Sequence, residues 1–291
     1  MLLQRILTAL VLAAVAITAI FTLPNLYFYF FIGAIVLVGA WEWTNLSSVN
    51  SVIGKILFLV SLIFPMLCIT FWTYILEFLS VLLEMPEVKE YSGILEWLVV
   101  GPVIFWVMMM FIIRKAPEEL LALELQKKYK VFIGWFVLFS AWMFLVKLRV
   151  FYGSSAVMYF LALIWIADIS AYFSGKKFGK DKLAPLISPG KTIQGMYGAM
   201  ASALVCSIAL GLYYSYPIMI ATDFIMLSML TVLVSIYGDL FFSLVKRKNG
   251  VKDSGFILPG HGGVLDRIDS VIAAAPFYYA GVILIGRSVF S

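Results

Sequence analysis

The chain has 291 residues, of which 63% are hydrophobic and 13% charged, with a mean hydropathy of +1.03 and a net charge of +5. Soluble domains carry about 25% charged residues, so this composition excludes an ordinary soluble enzyme and predicts an all-α, polytopic integral membrane protein. The two cysteines, Cys68 and Cys206, sit in apolar runs, which argues against a disulfide and leaves no zinc spacing.

In chain order, apolar runs of about 20 residues predict nine spans, at about 5–23, 26–46, 52–76, 94–113, 131–148, 153–174, 194–215, 218–241 and 271–289. Ala14-Val15-Ala16 mimics a signal-peptidase site, but it lies mid-run with another span directly behind it, so a retained first helix is expected. With a cytoplasmic N-terminus, 17 of the 21 Lys and Arg fall inside; Lys89, Lys147, Arg149 and Arg287 are the exceptions. That bias sets the orientation and places the Glu-rich loop near 77–93 outside. The charged segment Arg114–Lys130 reads as a short amphipathic helix, most simply a solvated connector. Residues 1–130 therefore read as transmembrane scaffold, and 131–291 as a catalytic region with cytoplasmic loops at 175–193 and 242–270.

The chemistry concentrates late. Lys246, Arg247, Lys248, Lys252, Asp253, Asp266, Arg267 and Asp269 crowd one stretch. At roughly 3 kcal/mol per charge, inserting them at mid-bilayer would cost about 24 kcal/mol, so the segment belongs at or outside the membrane surface. Ser235, Asp239, Ser243 and Lys246 are spaced 4, 4 and 3, and so share one face of a helix about 16 Å long that ends at the headgroups. Gly238 lets a neighbour approach beside Asp239.

Gly260, His261, Gly262 and Gly263 form a turn of little bulk whose N–H groups suit phosphate oxygens. The turn leads to Asp266 and Asp269, an i, i+3 pair if a helix starts there. Paired carboxylates suit Mg²⁺, which takes one or two of them plus substrate phosphates; the plain alternative is acids at a helix N-terminus. Asp168 shares a face with Tyr172 and Gly175 and leads into Lys176–Lys182, whose plain reading is positive-inside flanking. Ser188-Pro189-Gly190-Lys191-Thr192 fails as a phosphate-binding P-loop because Pro185 stands where glycine is required, although Lys191 and Thr192 remain candidate phosphate contacts.

The residues Ser243-x-x-Lys246-Arg247 and Lys252-Asp253-x-Gly255-x-x-Leu258-Pro259-Gly260-His261-Gly262-Gly263-x-x-Asp266-Arg267-x-Asp269 resemble the signature of phosphatidate cytidylyltransferases (CDP-diacylglycerol synthases). Asp168, Tyr172, Phe178-Gly179 and Ser188-Pro189-x-Lys191-Thr192 resemble that family too, so the likeness covers about 165–270. It implies transfer of CMP from CTP (or dCTP) to phosphatidic acid at the cytoplasmic face of a bacterial inner membrane, with release of pyrophosphate. It also implies Mg²⁺ at Asp239 and Asp266, with room for a monovalent cation such as K⁺. Lys246, Arg247, Lys252 and Arg267 are expected to neutralise phosphate charge. Membrane lipids are the expected surroundings, no nucleic acid is expected, and a homodimer is compatible with the sequence but not argued by it. A CTP-dependent polyprenol or phytol kinase would make similar demands. A transporter fits less well, because its site would lie mid-membrane between repeats, and these motifs lie at one face.

Overall fold

The computed structural model describes residues 2–258, 260, 262–286 and 289–290. Helices α1 (Leu2–Thr22), α2 (Asn25–Leu46), α3 (Val52–Thr70) and α4 (Trp72–Leu82) lead to a 3-10 segment, Pro86–Val99. Then come α5 (Val100–Lys115), α6 (Pro117–Ala122), α7 (Lys127–Phe178), α8 (Ile193–Tyr213), α9 (Ile218–Lys248) and α10 (Leu265–Ile285). A small antiparallel hairpin, β1 (Lys182–Ala184) and β2 (Ser188–Thr192), joins α7 to α8. Large apolar side chains such as Phe64, Phe78, Leu212 and Met219 remain exposed on the helix surfaces, as a lipid solvent demands.

Among the described residues, seven helices are long and apolar enough to cross a membrane. The expected number was about nine, and the difference lies in two places. The first is α1, whose 21 residues, Leu2–Thr22, stand where the first span is expected but which is not among the seven. The second place is α7, a single 52-residue element. At 1.5 Å per residue it would run about 78 Å, more than twice the bilayer core. Gly153 breaks it with φ 81° and ψ −176°, a conformation open to glycine, and this break falls at the start of the second of the two spans expected there.

Three other expectations need correction. The span expected at 52–76 ends at Thr70, and α4 follows from Trp72, so the predicted outer loop is partly helical. The amphipathic helix expected over Arg114–Lys130 shrinks to the six residues of α6, after which the chain extends to Gln126. The loop expected at 175–193 is narrowed by α7, which continues to Phe178, and contains the hairpin.

Close helix packing builds the site's floor. A Cβ added at Gly238 of α9 would lie 2.3 Å from Ala273 Cβ of α10, and one added at Gly198 of α8 would lie 2.1 Å from Ser174 Oγ of α7. Small residues let these backbones approach where no hydrophobic drive exists between helices in lipid. Beneath the polar face, Phe241 and Phe242 of α9 meet Trp43 of α2 and Trp106 of α5, with Trp106 and Phe241 edge to face at 5.3 Å. These rings are buried and hold α2, α5 and α9 in one cluster.

Candidate active site

Five helix ends meet around the charged residues: the C-terminal ends of α2, α7 and α9 and the N-terminal ends of α8 and α10. The two N-termini bring positive dipole ends to one place, which favours anions. Helix α9 runs seven residues past its expected end, to Lys248, so Ser235, Asp239, Ser243 and Lys246 all stand on one continuous helix. Helix α10 starts at Leu265, so Asp266 and Asp269 are indeed helical and one turn apart.

Two lysine–carboxylate pairs form the centre. Lys191 Nζ lies 2.6 Å from Asp239 Oδ2. Lys246 Nζ lies 2.6 Å from Asp266 Oδ1, with both side chains nearly buried. Ser243 Oγ donates to Asp239 Oδ1 at 3.2 Å. Lys246 also lies within electrostatic reach of Asp239, which links the two pairs. Asp269 is buried between them, within reach of Asp239, Lys246 and Lys191, and accepts from the Ser270 N–H at 2.8 Å. Asp168 on α7 completes the cluster, within reach of Lys191, Asp239 and Arg267.

The signature loop wraps the Asp266 carboxylate. Oδ2 accepts from the backbone N–H of Ser254 at 2.8 Å and of Gly263 at 3.0 Å. Gly262 has φ 81°, and a Cβ there would lie 2.9 Å from Asp266 Oδ2 and 3.2 Å from Asp253 Cβ. The Gly263 N–H, expected to face phosphate, is thus engaged by a protein carboxylate. Gly260 is exposed with φ 74°. His261 lies outside the described residues.

Other expected residues do structural work in this structure. Thr192 is buried and caps α8, accepting from the Gly195 N–H at 3.1 Å. Arg247 donates to the carbonyls of Ile187 and Val251 at 3.3 and 3.2 Å, tying the hairpin to the signature loop. Lys252, Asp253 and Arg267 are exposed, and Ser188 is half-buried in β2.

Two residues that the sequence reading passed over stand beside these. Glu42 of α2 is 1% exposed and accepts from Ser254 Oγ, Val264 N and Leu265 N. Ser254 lies between Glu42 and Asp266. The signal for Glu42 was present: a lone acid in an apolar run is by default functional.

Comparison with known proteins identifies the family of the chain that carries this cluster. The profile described as the cytidylyltransferase family matches residues 3–285. The chain belongs to the cytidylyltransferase family. The likeness therefore extends well beyond 165–270 and takes in α2 with Glu42. The chain is 35% identical over 289 residues to the phosphatidate cytidylyltransferase of Haemophilus influenzae, covering 96% of this chain and 97% of the relative. It is 37% identical over 281 residues to that of Pseudomonas aeruginosa, covering 96% of each. A Bacillus subtilis relative of the same name is 45% identical over 131 residues, 44% of this chain and 47% of the relative.

Proposed function

We propose that this integral membrane protein transfers CMP from CTP to phosphatidic acid, giving CDP-diacylglycerol and pyrophosphate. The observation that carries this reading is the pairing of Lys191 with Asp239 and Lys246 with Asp266 at the end of a polar helix stripe, in a chain of this family. Such a place lets a lipid phosphate held at the interface meet a soluble nucleotide.

The lipid phosphate is the nucleophile. Its second pKa is near 6, so it is largely dianionic at neutral pH and needs no general base. One of its oxygens forms a bond to the α-phosphorus of CTP as the bond from that phosphorus to the β-phosphate oxygen breaks, and pyrophosphate departs with the electron pair. The obstacle is repulsion between two polyanions, so the protein's task is positioning and charge neutralisation. Lys191, Lys246, Arg247, Lys252 and Arg267 supply the positive charge. The N-terminus of α8 adds to it, whereas that of α10 is already capped by the Glu42 carboxylate.

The donor set fits Mg²⁺. Its oxygens are hard, and two acids, Asp239 and Asp266, are of the number Mg²⁺ takes when substrate phosphates complete its shell. In each pair an ammonium already lies 2.6 Å from a carboxylate oxygen, so these carboxylates tolerate a cation against them. Asp239 and Asp266 would hold the ion, which supplies Lewis-acid stabilisation of phosphate charge when bound. A monovalent ion such as K⁺ belongs to the same proposal.

The site lies on the cytoplasmic side of a bacterial inner membrane in this reading, supported by the positive-inside bias. The test is pyrophosphate release by purified protein in detergent. Release from CTP that requires phosphatidic acid supports the reading. CDP release in the presence of a lipid alcohol would replace it with a lipid kinase.

A further inference from the structure

We infer that Glu42 is a positioning residue for the proposed reaction, acting through Ser254 and the start of α10 to fix the Asp266 carboxylate. The inference rests on the reading of Asp266 given above. Glu42 stands near the C-terminal end of α2, more than 200 residues away in sequence from the loop it holds, and is 1% exposed. Its Oε1 accepts from Val264 N at 3.0 Å; its Oε2 accepts from Leu265 N at 2.8 Å and Ser254 Oγ at 3.0 Å. Val264 is the N-cap of α10 and its own side chain makes no cap, so a carboxylate from another helix fills that role.

The loop is built around this carboxylate. A Cβ at Gly255 or at Gly263 would lie 2.4 Å from a Glu42 oxygen, so any larger residue at either place would evict it. The same segment faces Asp266 on its other side. Ser254 sends its hydroxyl to Glu42 and its N–H to Asp266, while Gly263 touches Glu42 and donates its N–H to Asp266. The loop is thus clamped between two carboxylates, one structural and one in the proposed reaction. A carboxylate is acceptor-only, which is what three converging donors require. In Glu42→Gln one of the two oxygens becomes an NH₂ group and opposes a donor.

The test uses the full-length protein in detergent with E42Q and S254A. Three readouts are taken: kcat and KM for CTP, the Mg²⁺ concentration for half-maximal rate, and hydrogen exchange of a peptide covering 250–266. For E42Q we expect kcat to fall about 10- to 100-fold, the range for residues that orient a metal-ligating group. KM for CTP should change little, half-maximal Mg²⁺ should rise, and exchange should quicken in 250–266 alone. Wild-type turnover in E42Q, or unchanged exchange in that peptide, overturns the inference. If E42Q fails to fold, S254A decides, since it removes a single contact: slower turnover with raised half-maximal Mg²⁺ supports the inference, and wild-type values overturn it. If the wild type makes no CDP-diacylglycerol, the proposed function falls on its own. Local loosening of 250–266 in E42Q would then still support the link from Glu42 to Asp266, and its absence would overturn that too.

Discussion

Lys191 Nζ on β2 lies 2.6 Å from Asp239 Oδ2 on α9, so the hairpin that joins α7 to α8 is latched to the polar stripe. Both side chains keep about a quarter to a third of their surface, which leaves them open to ligand. For D239N, product formation should fall about 100-fold or more, the scale for losing one electrostatic contact in a preorganised site. Stability should change by only about 1 kcal/mol, since a part-exposed pair contributes little. Initial rates and thermal melts in detergent check both halves.

The second pair behaves differently. Lys246 and Asp266 are 10% and 7% exposed, so removing one partner strands a buried charge. K246M should lower stability by about 3–5 kcal/mol as well as activity. A melt as high as that of D239N would contradict this difference in burial.

Gly238 should tolerate no side chain. A Cβ there would meet Ala273 Cβ at 2.3 Å and the Asp269 carbonyl at 3.3 Å, neither of which can rotate aside. G238A should cost about 1–3 kcal/mol and displace Asp239 from Lys191. G281A is the control: its nearest contact is the flexible end of Leu227, at 2.1 Å, and it lies far along α10 from the acids, so activity should fall less.

Divalent metal should be required. Chelation should abolish turnover and Mg²⁺ restore it, with D239N and D266N shifting the Mg²⁺ dependence upward. Full activity in excess chelator would refute the proposed metal site.

The rate should rise with pH through about 6, because the lipid phosphate attacks as the dianion and its fraction grows as the second proton leaves. Substrate binding measured over the same range separates this limb from loss of affinity. A rate independent of pH between 5 and 7 would contradict dianion attack.

Much of this was legible in the sequence. The helical stripe through Asp239, Ser243 and Lys246 follows from spacing alone, and α9 carries it as one helix. The break near residue 153 was also legible, since a run that long exceeds any bilayer. Three things were not. The hairpin at 182–192 lies in a charged, proline-containing loop whose pairing depends on contacts with α8 and α9. The division of labour within Ser188–Thr192 was hidden, because Thr192 as a helix cap and Lys191 as an ion-pair partner differ only in direction. The role of Glu42 was hidden, although a lone acid in an apolar run marked the position, because the donors that explain it come from the far end of the chain.

The most direct single measurement is product analysis with labelled CTP, phosphatidic acid and Mg²⁺, with the wild type run beside D239N and D266N. The account predicts labelled CDP-diacylglycerol from the wild type and its loss in both variants, each shown to be folded. Folded wild-type protein that makes no lipid-linked CMP from any of several lipid phosphates would contradict it.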